Sequence, residues 1–112
     1  MCGVAGEAQK KEMRREVIFD REARFEFENA VEWYDEREPG LGDRFRRDVG
    51  ATLERILRDP DHFSFSGQTI HKARLEIFDK YNIHFRIKPA FIVVVAVFHG
   101  ARAPARLRRR LK

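Results

Sequence analysis

Between Arg21 and Arg58 the apolar residues recur with a helical period, and from Lys72 to Phe98 they alternate or run together. Ala23, Phe27, Ala30, Val31 and Tyr34 fall on one stripe at about 100° per residue, with Trp33 at its margin and Phe25 opposite. This predicts a helix over 21–38. Pro39-Gly40 ends it, because proline disfavours helical geometry before it and glycine tolerates positive φ. Leu41, Phe45, Val49, Leu53, Ile56 and Leu57 share the face of a second helix over 41–58, with Arg44, Arg46, Arg47, Asp48 and Glu54 largely away from it. Asp59-Pro60 stops that helix. Val17-Ile18-Phe19 reads as a strand with Asp20 as the following N-cap, although the same run could open a longer helix. The product is a helical hairpin with one apolar side. Each large side chain buried is worth about 1.5–3 kcal/mol, so a flat apolar surface must cover it.

The second half supplies that cover. Residues 61–69 read as a loop. Ala73, Leu75 and Ile77 then alternate with Lys72, Arg74 and Glu76, and Tyr81, Ile83, Phe85 and Ile87 alternate with Asn82, His84 and Arg86. Phe91 to Phe98 is apolar on both faces, the pattern of a central strand. Turns are expected at 78–80 and 88–90. Parity places the odd-numbered apolar residues on the helix side. A three-residue turn at 78–80 then sets Leu75 opposite Ile83, Arg74 opposite His84 and Lys72 opposite Arg86, and the next turn sets Phe85 opposite Val93. The reverse face is expected to show Lys72, Arg74, His84 and Arg86, bordered by Ile92, Val94, Ala96 and Phe98. A bare patch of that kind calls for a cover, either the C-terminal segment or a partner. The expected fold class is α+β: an N-terminal strand, then a helical hairpin on a mostly antiparallel sheet of three to four strands, in the order β-α-α-β-β-β.

Composition bounds what such a domain can be. The chain has 112 residues, 43% hydrophobic and 37% charged, which suits one globular domain over 16–100. The longest apolar run, 91–98, is too short for a membrane span, and the N-terminus has no apolar signal core. A single cysteine, Cys2, gives no internal disulfide, so a reducing cytoplasm is the expected location. Residues 1–15 read as a disordered extension in which Met13 offers an alternative start. The formal net charge of +5 sits in the basic tail. Residues 101–112 hold Arg102, Arg106, Arg108, Arg109, Arg110 and Lys112 without an acid, while the rest of the chain is near neutral. Such a tail is either a solvated end or a grip on a phosphate backbone or acidic surface.

Little in the chain points to bound-group chemistry. His62, His71, His84 and His99 form no i,i+3 or i,i+4 pair, so no metal is expected. Pro39-Gly40-Leu41-Gly42 lacks the Lys-Ser/Thr of a phosphate loop, no serine sits in a nucleophile elbow, and no cofactor is expected. Glu32, Asp35 and Glu36 read as a solvated face. The cationic set Lys72, Arg74, His84 and Arg86 either points into water or grips an anion. In the second case His99 is the available acid or base.

Ala30, Trp33-Tyr34, Pro39-Gly40-Leu41-Gly42, Arg44-Phe45, Leu53, Ile56 and Pro60 form one ordered set. Arg74-Leu75, Phe78, Ile83, Phe85-Arg86, Val97-Phe98-His99 and Arg102-x-Pro104 continue it. Together these resemble the RelE/ParE superfamily of bacterial type II toxins, closest to the ParE side. The resemblance implies a growth-inhibiting toxin of the plasmid-stabilisation kind, neutralised by a cognate antitoxin, with DNA bound only through the antitoxin complex. ParE-like members inhibit DNA gyrase; RelE-like members are ribosome-dependent, metal-independent endoribonucleases acting on mRNA. The gyrase reading is preferred over the nuclease, and a non-toxic degenerate member is a third reading. Candidate target contacts are Arg74, Arg86, His99, Arg102 and Arg106, and candidate antitoxin contacts are Trp33, Ile92, Val94 and Phe98. Were the chain a nuclease, His99, Arg86, Arg74, His84 and Lys72 would carry the reaction. The chain departs from the superfamily pattern at Phe78-Asp79-Lys80-Tyr81, where Phe-Pro-Tyr is common. It also has no Tyr or His after His99, which weakens the nuclease reading.

Overall fold

The computed structural model describes residues 15–65 and 69–100. The expectations for residues 1–14 and for the basic tail 101–112, including Arg102 and Arg106, lie outside the described residues. Strand β1 (Glu16–Phe19) leads into helix α1 (Arg21–Arg37) and helix α2 (Leu41–Arg58), followed by a short 3-10 turn at Pro60–His62. Strands β2 (His71–Arg74), β3 (Tyr81–Ile87) and β4 (Phe91–His99) complete one sheet with spatial order β1-β4-β3-β2. β1 runs parallel to β4, and the other two pairings are antiparallel.

The hairpin turn explains the Pro39-Gly40-Leu41-Gly42 run. Gly40 holds φ at +91°, the left-handed region that costs glycine nothing. Gly42 donates its N–H to Asp35 Oδ1 at 2.7 Å, and a Cβ built there would sit 2.6 Å from the Val31 carbonyl oxygen. The two helices therefore cross in contact where a side chain has no room. Asp20 holds the N-cap position of α1, as expected, but its side chain makes no capping bond.

Ala23, Ala30 and Val31 of α1 meet Phe45, Val49 and Ile56 of α2, and both rows pack on Ala73, Ile83, Phe85, Ile92, Val94 and Val97 of the sheet. Aromatic rings fill the centre: Tyr34 and Phe45 stack at 5.4 Å, and Phe78 stands edge-on to both.

The sheet differs from the expected register in two places. β2 pairs with β3 through Lys72↔His84, Ala73↔Ile83 and Arg74↔Asn82, two residues from the expected pairing, so the connecting turn runs from Leu75 to Lys80. The cause is Asp48. The residue is 4% exposed, and its carboxylate accepts the N–H groups of Ile77 (2.9 Å) and Phe78 (2.8 Å), which draws the chain out of strand geometry. Asp48 was expected on the outer side of α2. Ile77, expected in the core, is 70% exposed, while Phe78 turns inward.

The second difference is a β-bulge. His84 pairs with Ala96 but Phe85 pairs with Val94, leaving Val95 as the extra residue. The bulge reverses parity along β4. Ile92 and Val94 therefore face the helices and are fully buried, so neither the reverse-face position nor an antitoxin contact expected of them survives. Val93 and Phe98 join Ile70, Val95 and Ala96 in a second, smaller apolar cluster.

Candidate functional site

β1 is short, and that shapes the surface beside it. Its pairing with β4 ends at Phe19↔Val94, so among the described residues no strand lies on that side of β4 from Val95 to His99. α1 runs alongside the gap. Glu26 on α1 accepts the Val97 N–H at 3.0 Å, an acceptor for one of the backbone donors that strand pairing leaves over. What remains is a groove in two adjoining parts. One, about 590 Å³, lies between Phe25 and Phe98 with Arg21, Arg24, Glu22 and Glu28 at its rim. The other, about 330 Å³, is lined by Asn29, Trp33, Tyr34, Tyr81, Phe98 and His99 among others.

Phe25 and Trp33 are 66% and 43% exposed here, on a helix whose buried face is already used by the core. Trp33 is held for display. Arg37 lies over its ring at 4.0 Å and Tyr34 stands edge-on at 5.0 Å, which limits the rotamers available to the indole. An ordered aromatic beside an apolar cleft has the form of a binding anchor, because little side-chain entropy is left to lose.

A separate pocket of about 440 Å³ lies at the β2–β3 end of the sheet, lined by Ser64, Lys72, Arg74, Asp79, Lys80, Asn82 and Gly100. Lys72 and Arg74 project together because they are two residues apart on β2, and Lys80 joins them from the turn. Lys80 was not singled out in the sequence. Its signal, a lysine in the turn next to a strand ending Lys-x-Arg, becomes legible only once the turn is known to start at Leu75.

The expected basic set is therefore divided. His84 is 6% exposed, and Arg86 donates to Thr69 Oγ1 at 2.9 Å. His99 pairs with Tyr81 and packs edge-on against its ring at 5.2 Å in the α1 groove, on the helix side of the sheet. Lys72 and Arg74 project from the other side. His99 shares a small pocket of about 200 Å³ with Asp79 and Lys80 at the turn, but it lines no pocket with Lys72 or Arg74. Of the expected antitoxin contacts, Trp33 and Phe98 line one groove together.

Among the described residues, no group of three or more His, Cys, Asp or Glu could hold a metal ion, and no helix is long and apolar enough to cross a membrane.

A β-α-α-β-β-β chain with its helical hairpin on one face of a mixed sheet has the architecture of the RelE/ParE class of small toxins. A family model described as the ParE toxin of the type II toxin–antitoxin system, parDE, matches residues 17–104. The chain belongs to that ParE toxin family. Among solved structures, a chain of the chromosomal ParDE toxin–antitoxin system from P. aeruginosa superposes with a TM-score of 0.66 at 12% identity. The match covers 78% of this chain and 97% of that one, and at such identity it speaks for the fold. No curated protein matches the chain.

Proposed function

We propose that this chain is a gyrase-inhibiting toxin held inactive by an antitoxin segment lying along α1 in the groove beside Phe98. One observation carries the antitoxin part: the groove running along α1 from Phe25 past Phe98 to Trp33. A partner segment there would cover the exposed parts of Phe25 and Trp33 and what remains open of Phe98, apolar surface worth about 25 cal/mol per Å² removed from water. The gyrase part rests on family membership. The nuclease alternative has less support: His99 shares a pocket with Lys80 but not with Lys72 or Arg74, and His84, paired with Lys72, is buried.

Expression of the chain alone in a bacterium tests both parts. Filamentous growth, relaxed plasmid DNA and rescue by the antitoxin encoded beside the gene are expected. Normal supercoiling with growth arrested by loss of mRNA would overturn the gyrase reading.

A further inference from the structure

The pocket at the β2–β3 end has a composition that the groove does not explain, and it shares no lining residue with the groove. Lys72, Arg74 and Lys80 converge on it with a single acid, Asp79. Among the described residues none of the three cations has an ion-pair partner, and Arg55 and Glu76, which pair with each other at 3.5 Å, do not line the pocket. Three cations against one acid leave the cavity with a net positive charge, which attracts an anion. Ser64 and Asn82 add neutral hydrogen-bond donors of the kind that complete phosphate contacts.

Gly100 forms part of the wall and donates its N–H to the Lys80 carbonyl. Residues 101–112, next in sequence, hold six basic residues and no acid. One phosphate would need only the pocket. A cationic pocket in a chain that also carries a basic segment of that length suits a ligand with many phosphates in a row.

We propose that Lys72, Arg74 and Lys80 bind the phosphate backbone of duplex DNA, so that the toxin meets DNA directly rather than only through its antitoxin complex. The choice of duplex DNA over RNA rests on the gyrase reading, since gyrase works on DNA duplexes. The pocket holds one stretch of backbone by charge-assisted hydrogen bonds, and recognition there is independent of base sequence.

The test is fluorescence anisotropy of the purified full chain with a labelled 20-base-pair duplex over 50–200 mM salt. A duplex of unrelated sequence and a single-stranded RNA of equal length run in parallel. Both duplexes should bind alike, more tightly than the RNA, and more weakly as salt rises. The triple variant Lys72→Gln/Arg74→Gln/Lys80→Gln changes only exposed side chains. Circular dichroism should show it folded, with duplex affinity reduced by at least about tenfold and the salt slope smaller by about two to three. A chain ending at residue 105 should keep the pocket's share of binding. Wild-type affinity and slope in the triple variant, or tighter binding to RNA, would overturn the proposal. Gyrase supercoiling is assayed alongside with wild-type protein. Duplex binding by the pocket without gyrase inhibition supports the pocket and removes the gyrase reading. Gyrase inhibition with unaltered duplex binding by the variant removes the pocket.

Discussion

The Asp48 carboxylate on α2 accepts the backbone N–H of Phe78 across a gap of 30 residues in sequence, at 2.8 Å. The same oxygen takes the Ile77 N–H at 2.9 Å, so one buried side chain fixes where β2 stops and which way Phe78 points. With Phe78 inward, its ring closes the aromatic cluster of Tyr34, Phe45 and Tyr81. With the turn fixed, Lys80 comes to the cationic pocket.

Asp48→Ala leaves two backbone donors without their acceptor in a site that water reaches poorly. A loss of about 2–3 kcal/mol is expected in urea unfolding, because bonds to a charged acceptor are among the stronger ones. Asp48→Asn keeps one acceptor oxygen and should lose less. A change in the alanine variant below about 0.5 kcal/mol would show that the turn holds its shape without Asp48.

The helices were legible in the sequence because their apolar residues keep one period over several turns. Asp48 was not, although it lies at helical spacing among Phe45, Val49 and Thr52, all buried. An acid within an apolar stripe signals a buried acceptor, but its donors sit 29 and 30 residues away and nothing local announces them. The bulge at Val95 was hidden for a different reason. A strand apolar on both faces carries no alternation, so inserting one residue leaves no mark on the pattern. That concealed step put Ile92 and Val94 on the wrong face. Trp33 and Phe98 stood out as large aromatics, whereas the groove between them depends on where β1 ends.

Gly42 and Gly50 both lie in α2, and they should respond to alanine in opposite directions. At Gly42 the new Cβ would stand 2.6 Å from the Val31 carbonyl oxygen and 2.7 Å from Asp35 Cγ, so the helices must part. Overpacking of this kind costs about 1–3 kcal/mol. At Gly50 nothing lies within 4 Å, and replacing a helical glycine with alanine should stabilise by about 0.5–1 kcal/mol. Thermal melts of the two single variants decide it. Equal effects would mean that the close crossing at Gly42 does not exist.

His99 lines the groove with Tyr81 and Trp33 and does not meet Lys72 or Arg74. His99→Ala should therefore lower antitoxin affinity by a few-fold and leave mRNA half-lives in induced cells as they are with wild type. Ribosome-bound mRNA cut by the wild-type protein and spared by His99→Ala would restore the histidine to a catalytic role.

The groove prediction separates display from support. Trp33→Ala removes an exposed ring stacked under Arg37, and the core below it is closed by Ala30 and Val31. Folding stability should fall by less than about 1 kcal/mol, the scale of an exposed cation–π contact. Antitoxin binding should weaken by about 30-fold or more, the loss expected for a central aromatic anchor of about 2 kcal/mol or above. Ile92→Ala should behave in reverse. Its side chain is fully enclosed between sheet and helices, so truncation costs about 2–5 kcal/mol of fold, with affinity per folded molecule unchanged. Calorimetric titration against the antitoxin, with the folded fraction measured on the same samples, distinguishes the two. If Trp33→Ala bound as wild type did, the partner would have to lie elsewhere than along α1, and the groove between Phe25, Phe98 and Trp33 would lose its explanation as a docking site.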